Sequence, residues 1–216
     1  MKILPIIPSV YNFDPALIRD QLSDIILSKY INAVHFDNWN DLENYRDLME
    51  KYNIVADIHL LGDNPLNDLA IIIRMKLSCP LRVSMHVESG QDRQQFCKIA
   101  KDCGISPGLA FKLKTQVNND PNFYLGFDYV HLVCNDETAG APSFQNIVFD
   151  KIKCLLDFLP KNLSITIDSG VKEENINSSV QAGVDNMVMG SAIFKSANPL
   201  ETIVRFNKIV NGNYKI

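Results

Sequence analysis

Short apolar runs alternate with longer amphipathic stretches along the whole chain. Eight apolar runs have the length and composition of buried strands, and the stretches between them repeat their apolar positions with a helical period. We predict strands at about residues 3–9, 31–37, 54–60, 81–87, 106–111, 128–134, 163–168 and 186–190. We predict helices near residues 14–28, 40–51, 65–77, 91–103, 114–119, 145–158, 172–181 and 198–209, the fifth of them short because a turn cluster follows it.

Local signals support several of these boundaries. Asp14-Pro15 and Asn64-Pro65 each have the form of an N-cap followed by proline at the first helical position. Gly104 and Gly183 directly follow helical stretches, where a residue in the left-handed conformation commonly ends a helix.

The order of the elements predicts the fold. Eight strands, each followed by a helix or helical turn, predict a (β/α)8 TIM barrel that occupies residues 1–216 as a single domain. A doubly wound open sheet is the main alternative, but it favours a glycine-rich turn after the first strand. That turn is Pro8-Ser9-Val10-Tyr11, which lacks the GxGxxG pattern.

Polar side chains concentrate where the predicted strands end: Ser9, His35, Asp37, His59, His86, Glu88 and Asp168. His35 and Asp37 lie two positions apart, so on a strand they project from the same face. A barrel builds its active site at the carboxyl ends of its strands. A single histidine there is more often a hydrogen-bonded core residue, but several at one end favour a functional site. His131 lies inside a strand, where we predict a buried, hydrogen-bonded histidine.

Two imidazoles and two carboxylates at the strand ends can form a metal site. His35, His59, Asp37 and Asp168 offer mixed nitrogen and oxygen ligands, which suit Zn²⁺, Fe²⁺, Mn²⁺ or Co²⁺ better than Mg²⁺ alone. Acids are also common helix caps at strand–helix junctions, and that alternative for Asp37 and Asp168 stays open.

The last two strand ends have the composition of a phosphate site. Asp168-Ser169-Gly170 follows the seventh strand, and Met189-Gly190-Ser191-Ala192 follows the eighth. Glycine lets the backbone approach an anion, and barrels commonly hold phosphate at these two loops. Ordinary tight turns are the alternative.

Composition narrows the class of protein. Hydrophobic residues make up 46% of the chain and the formal net charge is −4, so the sequence gives no sign of a nucleic-acid partner. No segment reaches the roughly 18 apolar residues of a membrane helix, and the pattern of the first residues does not predict a secretory signal. The five cysteines are scattered without a CxxC pair, which argues against disulfides and a zinc–thiolate site. We therefore predict a cytoplasmic protein without a membrane association.

The chain resembles the ribulose-phosphate 3-epimerases, metal-dependent TIM barrels of the pentose phosphate pathway. The matching segments are Pro8-Ser9 with Asp14, His35-Phe36-Asp37, Asp57-Ile58-His59-Leu60 with Asn64-Pro65, His86-Val87-Glu88, Gly108-Leu109-Ala110, Ile167-Asp168-Ser169-Gly170, and Ala182-Gly183-Val184-Asp185 leading to Gly190-Ser191-Ala192-Ile193-Phe194. Each segment is short, but their order and spacing make the resemblance specific.

The resemblance implies roles for individual residues. It implies that one divalent metal ion is held by His35, Asp37, His59 and Asp168. It implies substrate contacts from Ser9, His59, Ser169, Gly170, Gly190 and Ser191, with the last three at a phosphate. Asp37 and Asp168 would also exchange the proton at C3 of a ketose phosphate. The default reaction converts D-ribulose 5-phosphate to D-xylulose 5-phosphate.

Two loops depart from the family pattern. Asn38-Trp39-Asn40 follows Asp37, where the family has a loop that covers the site, and residues 135–142 replace the lid after the sixth strand. Trp39 either covers the site entrance or, as we prefer, packs at the start of the second helix. The substrate therefore stays open: the alternatives are another ketose phosphate, such as a hexulose 6-phosphate, or a non-catalytic barrel that binds a phosphorylated sugar. Lys112 is predicted to be a surface residue, and the oligomeric state stays open between a monomer and a homo-oligomer.

Overall fold

The computed structural model describes residues 2–135, 144–160 and 162–213. Its eight strands are all parallel: β1 (Ile6–Pro8), β2 (Ala33–Phe36), β3 (Val55–Leu60), β4 (Leu81–His86), β5 (Ser106–Phe111), β6 (Tyr129–Val133), β7 (Ser164–Asp168) and β8 (Asn186–Met189). They form one sheet in the order β1-β8-β7-β6-β5-β4-β3-β2. This is the predicted TIM barrel.

Helices surround the sheet: α1 (Pro15–Leu27), α2 (Arg46–Tyr52), α3 (Pro65–Arg74), α4 (Arg93–Asp102), α5 (Ile147–Phe158), α6 (Glu173–Gln181), α7 (Ser191–Phe194) and α8 (Pro199–Asn213). Short 3-10 helices cover Trp39–Asn44, Val87–Ser89 and Pro121–Tyr124. In the part of the chain that the structure describes, none of these helices is long and apolar enough to cross a membrane.

The barrel closes between its first and second strands. Ser9 forms an isolated parallel bridge with His35, and the amide of Val10 donates to the His35 carbonyl at 3.3 Å. On its other side β1 pairs with β8 in the register Ile7 to Val188. The closure places Ser9 beside the carboxyl end of β2, where His35 and Asp37 lie.

The predicted helix boundaries are confirmed where single residues signalled them. Asp14 caps α1 by accepting from the Ala16 amide at 2.9 Å, and Asn64 caps α3. Gly104 and Gly183 have φ angles of 72° and 91°, which are the left-handed values expected after α4 and α6.

Two helix predictions are wrong in detail. Residues 114–119 form an irregular loop instead of a helix, and a 3-10 helix at Pro121–Tyr124 follows them. Asp120 accepts from the Asn122 amide at 2.9 Å, so side-chain hydrogen bonds of the turn cluster compete with helix formation. The predicted second helix divides into the 3-10 helix Trp39–Asn44 and α2. The eighth helix is confirmed, and the short α7 that precedes it has no counterpart among the predicted helices.

Inside the barrel an apolar layer gives way to a polar one. Ile7, Ala33, Val55 and Val188 form a small apolar cluster, separate from the main core between the sheet and the helices. The interior also holds a buried Arg82, whose guanidinium carbon lies 3.8 Å from the centre of the Tyr129 ring. Polar groups at this depth need partners, because an unpaired buried charge is costly.

Gly108 makes room for the Tyr129 ring on the neighbouring strand. A Cβ atom at Gly108 would lie 2.2 to 2.5 Å from three ring atoms of Tyr129, which stacks on Arg82. We expect Gly108→Ala to lower the free energy of unfolding by about 1–3 kcal/mol, the usual cost of overpacking. Urea denaturation followed by circular dichroism measures it.

Gly212→Ala is the matched control, because Gly212 lies in α8 with no atom within 4 Å of an added Cβ. Alanine is the better helix former, so this variant should be neutral or slightly stabilised. Equal unfolding free energies for the two variants would contradict the proposed packing.

Candidate metal centre at the carboxyl ends of the strands

Four predicted side chains converge at one end of the barrel. His35 lies near the end of β2, Asp37 follows that strand, His59 lies near the end of β3, and Asp168 ends β7. One ligand atom from each lies within 4.8 Å of the others. Both histidines and Asp168 are buried, while the side chain of Asp37 is 13% exposed. The structure therefore brings together all four residues that the sequence indicated.

The distances leave space between the four groups. The Nε2 atom of His35 is 3.4 Å from Asp37 Oδ1 and 3.6 Å from Asp168 Oδ2. The Nδ1 atom of His59 is 3.4 Å and 3.7 Å from the same two oxygens. Within residues 2–135, 144–160 and 162–213, this buried Nδ1 atom has no partner in hydrogen-bond geometry. Two nitrogens and two oxygens facing one point form a donor set that fits a divalent cation.

The electrostatic potential at this point favours positive charge. Burial alone would raise the pKa of Asp37, but His35 and His59 lower it to about 2. Burial alone would lower the pKa of His35, but Asp37 and Asp168 raise it well above its usual range. The pKa of His59 is also raised by these two carboxylates against the effect of burial. The carboxylates thus attract protons to the histidines, and a divalent cation would take the place of those protons.

The buried ion pair of Asp57 and Arg82 contacts His35 on the side away from the four-residue cluster. The Nδ1 atom of His35 lies 2.7 Å from Asp57 Oδ2, and Asp57 Oδ1 lies 2.8 Å from Arg82 Nε. Arg82 also donates to Thr166 at 2.7 Å and to Asn186 at 3.3 Å. Since an ionised carboxylate only accepts, the neutral form of His35 carries its hydrogen on Nδ1, and its Nε2 lone pair then faces the site.

His131 contacts Asp168 from the next strand. It is fully buried in β6, and its Nε2 atom lies 3.3 Å from Asp168 Oδ2, so the prediction of a buried, hydrogen-bonded histidine is confirmed. Burial and the nearby His59 lower the pKa of His131 to about 4, although Asp168 opposes the shift. A neutral His131 therefore donates to Asp168, whose other oxygen accepts from the Ser169 amide at 2.5 Å.

A cavity of about 510 Å³ opens above the four residues. Its lining includes Asp37, His59, His86, Asp168 and Ser169, together with Tyr11, Leu61, Lys112, Leu113, Lys114, Thr115, Val133 and Asn135. The side chain of Lys112 is exposed, as predicted, but it also borders the cavity. A larger cavity of about 730 Å³ lies at the opposite end of the barrel, away from the four-residue cluster.

The other residues predicted to contact the substrate do not all lie at the cavity of about 510 Å³. Ser9 is buried beside His35, and a Cβ atom on Gly190 would lie 3.2 Å from the Ser9 carbonyl, so these two loops touch. Ser169 and Gly170 both have left-handed φ angles, 73° and 77°. Ser191 is exposed at the start of α7 and borders a separate surface depression with Lys172 and Lys195. Of these five residues, only Ser169 lines the cavity of about 510 Å³ above the four-residue cluster.

Of the two loops that depart from the family pattern, the structure describes the one after Asp37. Asn38 caps the 3-10 helix that begins at Trp39, so the chain turns into a helix immediately after Asp37. Trp39 packs against the core and is absent from the cavity lining, which agrees with the packing role that we preferred. Residues 136–142, which make up most of the segment that replaces the lid, lie outside the described residues.

The sequence reasoning missed the partners of the two histidines. The sequence pattern predicts no role for Asp57 or Arg82, and it places His86 and Glu88 at a strand end without partners. A signal was present, because Asp57 precedes His59 by two positions and Arg82 precedes His86 by four, so each pair shares a strand face.

Fold and site together define a class: a TIM-barrel enzyme with its polar centre at the carboxyl ends of the strands. The model of the ribulose-phosphate 3 epimerase family matches residues 10–194, so the chain belongs to that family. It is a ribulose-phosphate 3-epimerase-like isomerase, which confirms the resemblance read from the sequence.

Curated relatives and solved structures agree with this assignment. The chain is 26% identical to the ribulose-phosphate 3-epimerase of Mycoplasma genitalium over 204 residues, which cover 89% of this chain and 91% of that protein. It is 30% identical to the enzyme of that name from Buchnera aphidicola, with 79% and 75% covered. The structure of 3-hexulose-6-phosphate synthase from Salmonella typhimurium has a TM-score of 0.70 at 14% identity and covers 97% of this chain and 100% of that one, so it shows the shared fold.

Proposed function

We propose that this epimerase inverts the configuration at C3 of a ketose phosphate, by default converting D-ribulose 5-phosphate to D-xylulose 5-phosphate. The observation that carries the proposal is the pair of carboxylates, Asp37 and Asp168, which approach one point from different strands beside two imidazoles. Inversion requires a proton to leave one face of a carbon and return to the other. Two bases that flank one site can perform both transfers.

His35, Asp37, His59 and Asp168 would hold one Zn²⁺, Fe²⁺, Mn²⁺ or Co²⁺ ion. When bound, the metal supplies positive charge that stabilises the negative charge developing on the substrate oxygens as the C3 proton leaves. The space between the four donor atoms and the unpartnered Nδ1 atom of His59 support this assignment.

The carboxylates would transfer the protons. The pKa of Asp37 is about 2 and that of Asp168 is well below its usual range, so both are ionised and able to accept a proton near neutral pH. One aspartate accepts the C3 proton from one face. The other aspartate must first take up a proton from solvent, and it then donates that proton to the opposite face. His131, which donates to Asp168, holds that carboxylate in place while it exchanges its proton.

A small sugar phosphate fits the cavity. Its volume of about 510 Å³ lies within the usual range of roughly 300–1,000 Å³ for small-molecule sites. We assign substrate contacts to Ser9, His59 and Ser169, and the phosphate to Gly170, Gly190 and Ser191. The contact between the loops at Ser9 and Gly190 supports a shared role for these two residues.

The products formed from different ketose phosphates test this proposal. Metal-loaded protein incubated with D-ribulose 5-phosphate should yield D-xylulose 5-phosphate, identified by NMR, faster than a hexulose 6-phosphate yields its epimer. Faster conversion of the hexulose phosphate would select the other ketose phosphate as substrate. Binding without conversion of either sugar would contradict the enzymatic proposal and favour a phosphosugar-binding barrel.

A further inference from the structure

His59 has a second partner on the side away from the four-residue cluster. Its Nε2 atom lies 2.8 Å from the Nε2 atom of His86, and both rings are buried. At this distance the two nitrogens share one hydrogen, so one ring donates and the other accepts. The direction of this hydrogen bond determines which nitrogen of His59 keeps its lone pair.

Glu88 determines the direction of the hydrogen bond. Its Oε2 atom lies 2.9 Å from His86 Nδ1. Burial alone would raise the pKa of Glu88, but hydrogen bonds from His86, Thr115 and the Lys112 amide lower it to about 2, so the carboxylate is ionised and only accepts. The hydrogen of His86 is therefore on Nδ1. Its Nε2 atom keeps a lone pair and accepts from His59 Nε2–H.

Glu88 is itself held firmly. Its Oε1 atom accepts from the Lys112 amide at 2.9 Å, so each carboxylate oxygen has its own donor. The 3-10 helix Val87–Ser89 carries it, and the Ser89 hydroxyl donates back to the His86 carbonyl at 2.8 Å. Lys151 in turn donates to the carbonyls of Lys112 and Thr115. A carboxylate anchored in this way can orient the imidazole that it contacts.

We propose that His86 and Glu88 are positioning residues, which hold His59 as its Nε2–H tautomer and turn its Nδ1 lone pair toward Asp37 and Asp168. The proposal rests on the metal-dependent function proposed above. His35 is held in the opposite sense, because Asp57 accepts from its Nδ1–H and leaves Nε2 free. The two histidines thus face the site through different nitrogens, each determined by its own carboxylate. Removing a residue that orients a metal-binding histidine through a hydrogen bond typically weakens metal binding roughly 10- to 100-fold.

The tautomers can be read directly in metal-free, full-length protein. Histidine labelled with ¹⁵N, at a pH where the imidazoles are neutral, should show His59 and His35 as opposite tautomers. We expect Nε2–H for His59 and Nδ1–H for both His86 and His35. A wild-type His59 that carries its hydrogen on Nδ1 would overturn the proposal, and this test needs no variant.

Variants of Glu88 test the carboxylate itself. In Glu88→Leu the acceptor is absent, so we expect His59 to populate both tautomers and Zn²⁺ binding, measured by chelator competition, to weaken roughly 10- to 100-fold. Glu88→Gln keeps an acceptor oxygen and should retain the tautomer and most of the affinity. His35 serves as an internal control in every sample, and Glu43→Leu, at an exposed glutamate, is the matched control variant.

The outcomes separate this proposal from the proposed function. Unchanged tautomers and unchanged Zn²⁺ affinity in Glu88→Leu would refute the positioning role. If Glu88→Leu does not fold, the wild-type tautomers and Glu88→Gln still decide. The expected tautomers and affinities, in a protein that does not epimerise ketose phosphates, would leave the positioning role standing and refute the proposed reaction.

Discussion

Asp37→Asn should lose turnover almost completely while keeping its fold. Asparagine retains an oxygen that can face a cation, but its amide cannot accept the C3 proton. General acid–base catalysis contributes roughly 10²- to 10⁴-fold, so kcat should fall by about 10³-fold with saturating metal and substrate. Turnover assays measure this loss, and circular dichroism confirms the fold.

Asp63→Asn is the matched control, because Asp63 is an exposed carboxylate in the loop after β3 and lies outside the cavity lining. Its turnover should equal that of the wild type. Near-normal activity of Asp37→Asn would exclude the mechanism in which two aspartates exchange the proton.

Asp57→Asn should destabilise the protein more than any surface change. Asp57 and Arg82 are both buried and lie 2.8 Å apart, so removing one charge leaves the guanidinium without its counter-ion. Breaking a buried pair from one side costs about 3–5 kcal/mol. Urea denaturation should show a loss of that size in the free energy of unfolding. The double variant Asp57→Asn with Arg82→Met should recover part of it, because no unpaired charge is left.

The exposed pair of Arg19 and Asp47 provides the control. Their side chains are 35% and 70% exposed, and exposed ion pairs contribute about 1 kcal/mol or less. Asp47→Asn should therefore change the unfolding free energy little. A loss at Asp57→Asn no greater than at Asp47→Asn would show that Arg82 does not depend on the Asp57 charge.

The sequence was sufficient to predict the barrel and the four converging residues, because both follow from short-range periodicity. His35 and Asp37 share a strand face, and in a parallel barrel every strand presents its carboxyl end on the same side. The predicted cluster needed no knowledge of distances between strands. The wrong fifth helix had a local cause too, since the side chains of residues 118–122 bond to their own backbone.

Contacts between strands could not be predicted in this way. The bond from His35 to Asp57 spans 22 residues and the bond from Arg82 to Asn186 spans 104, and neither separation is fixed by a repeating pattern. The link between His59 and His86 depends on the register of β3 against β4, which pairs His59 with Ser84. Only the folded sheet shows which polar groups satisfy one another.

The shortened connection after Asp37 affects the substrate more than the chemistry. The four-residue cluster is intact, whereas the chain enters a 3-10 helix at Trp39, where the family has a covering loop. Water exclusion protects the reactive species formed when a proton leaves carbon. For the proposed reaction, we therefore expect specificity for the sugar to depend on the remaining cavity lining, including Tyr11, Leu61 and Lys112.

Exchange of the C3 proton of D-ribulose 5-phosphate with solvent deuterium is a direct test of the proposed metal-dependent proton transfer. With protein loaded with Zn²⁺, Fe²⁺, Mn²⁺ or Co²⁺, the sugar should incorporate deuterium at C3. With protein stripped of metal by a chelator, the sugar should incorporate none until metal is restored. Failure to incorporate deuterium at C3 with each of the four metals supplied, or exchange that continues undiminished in stripped protein, would contradict the proposed metal-dependent reaction.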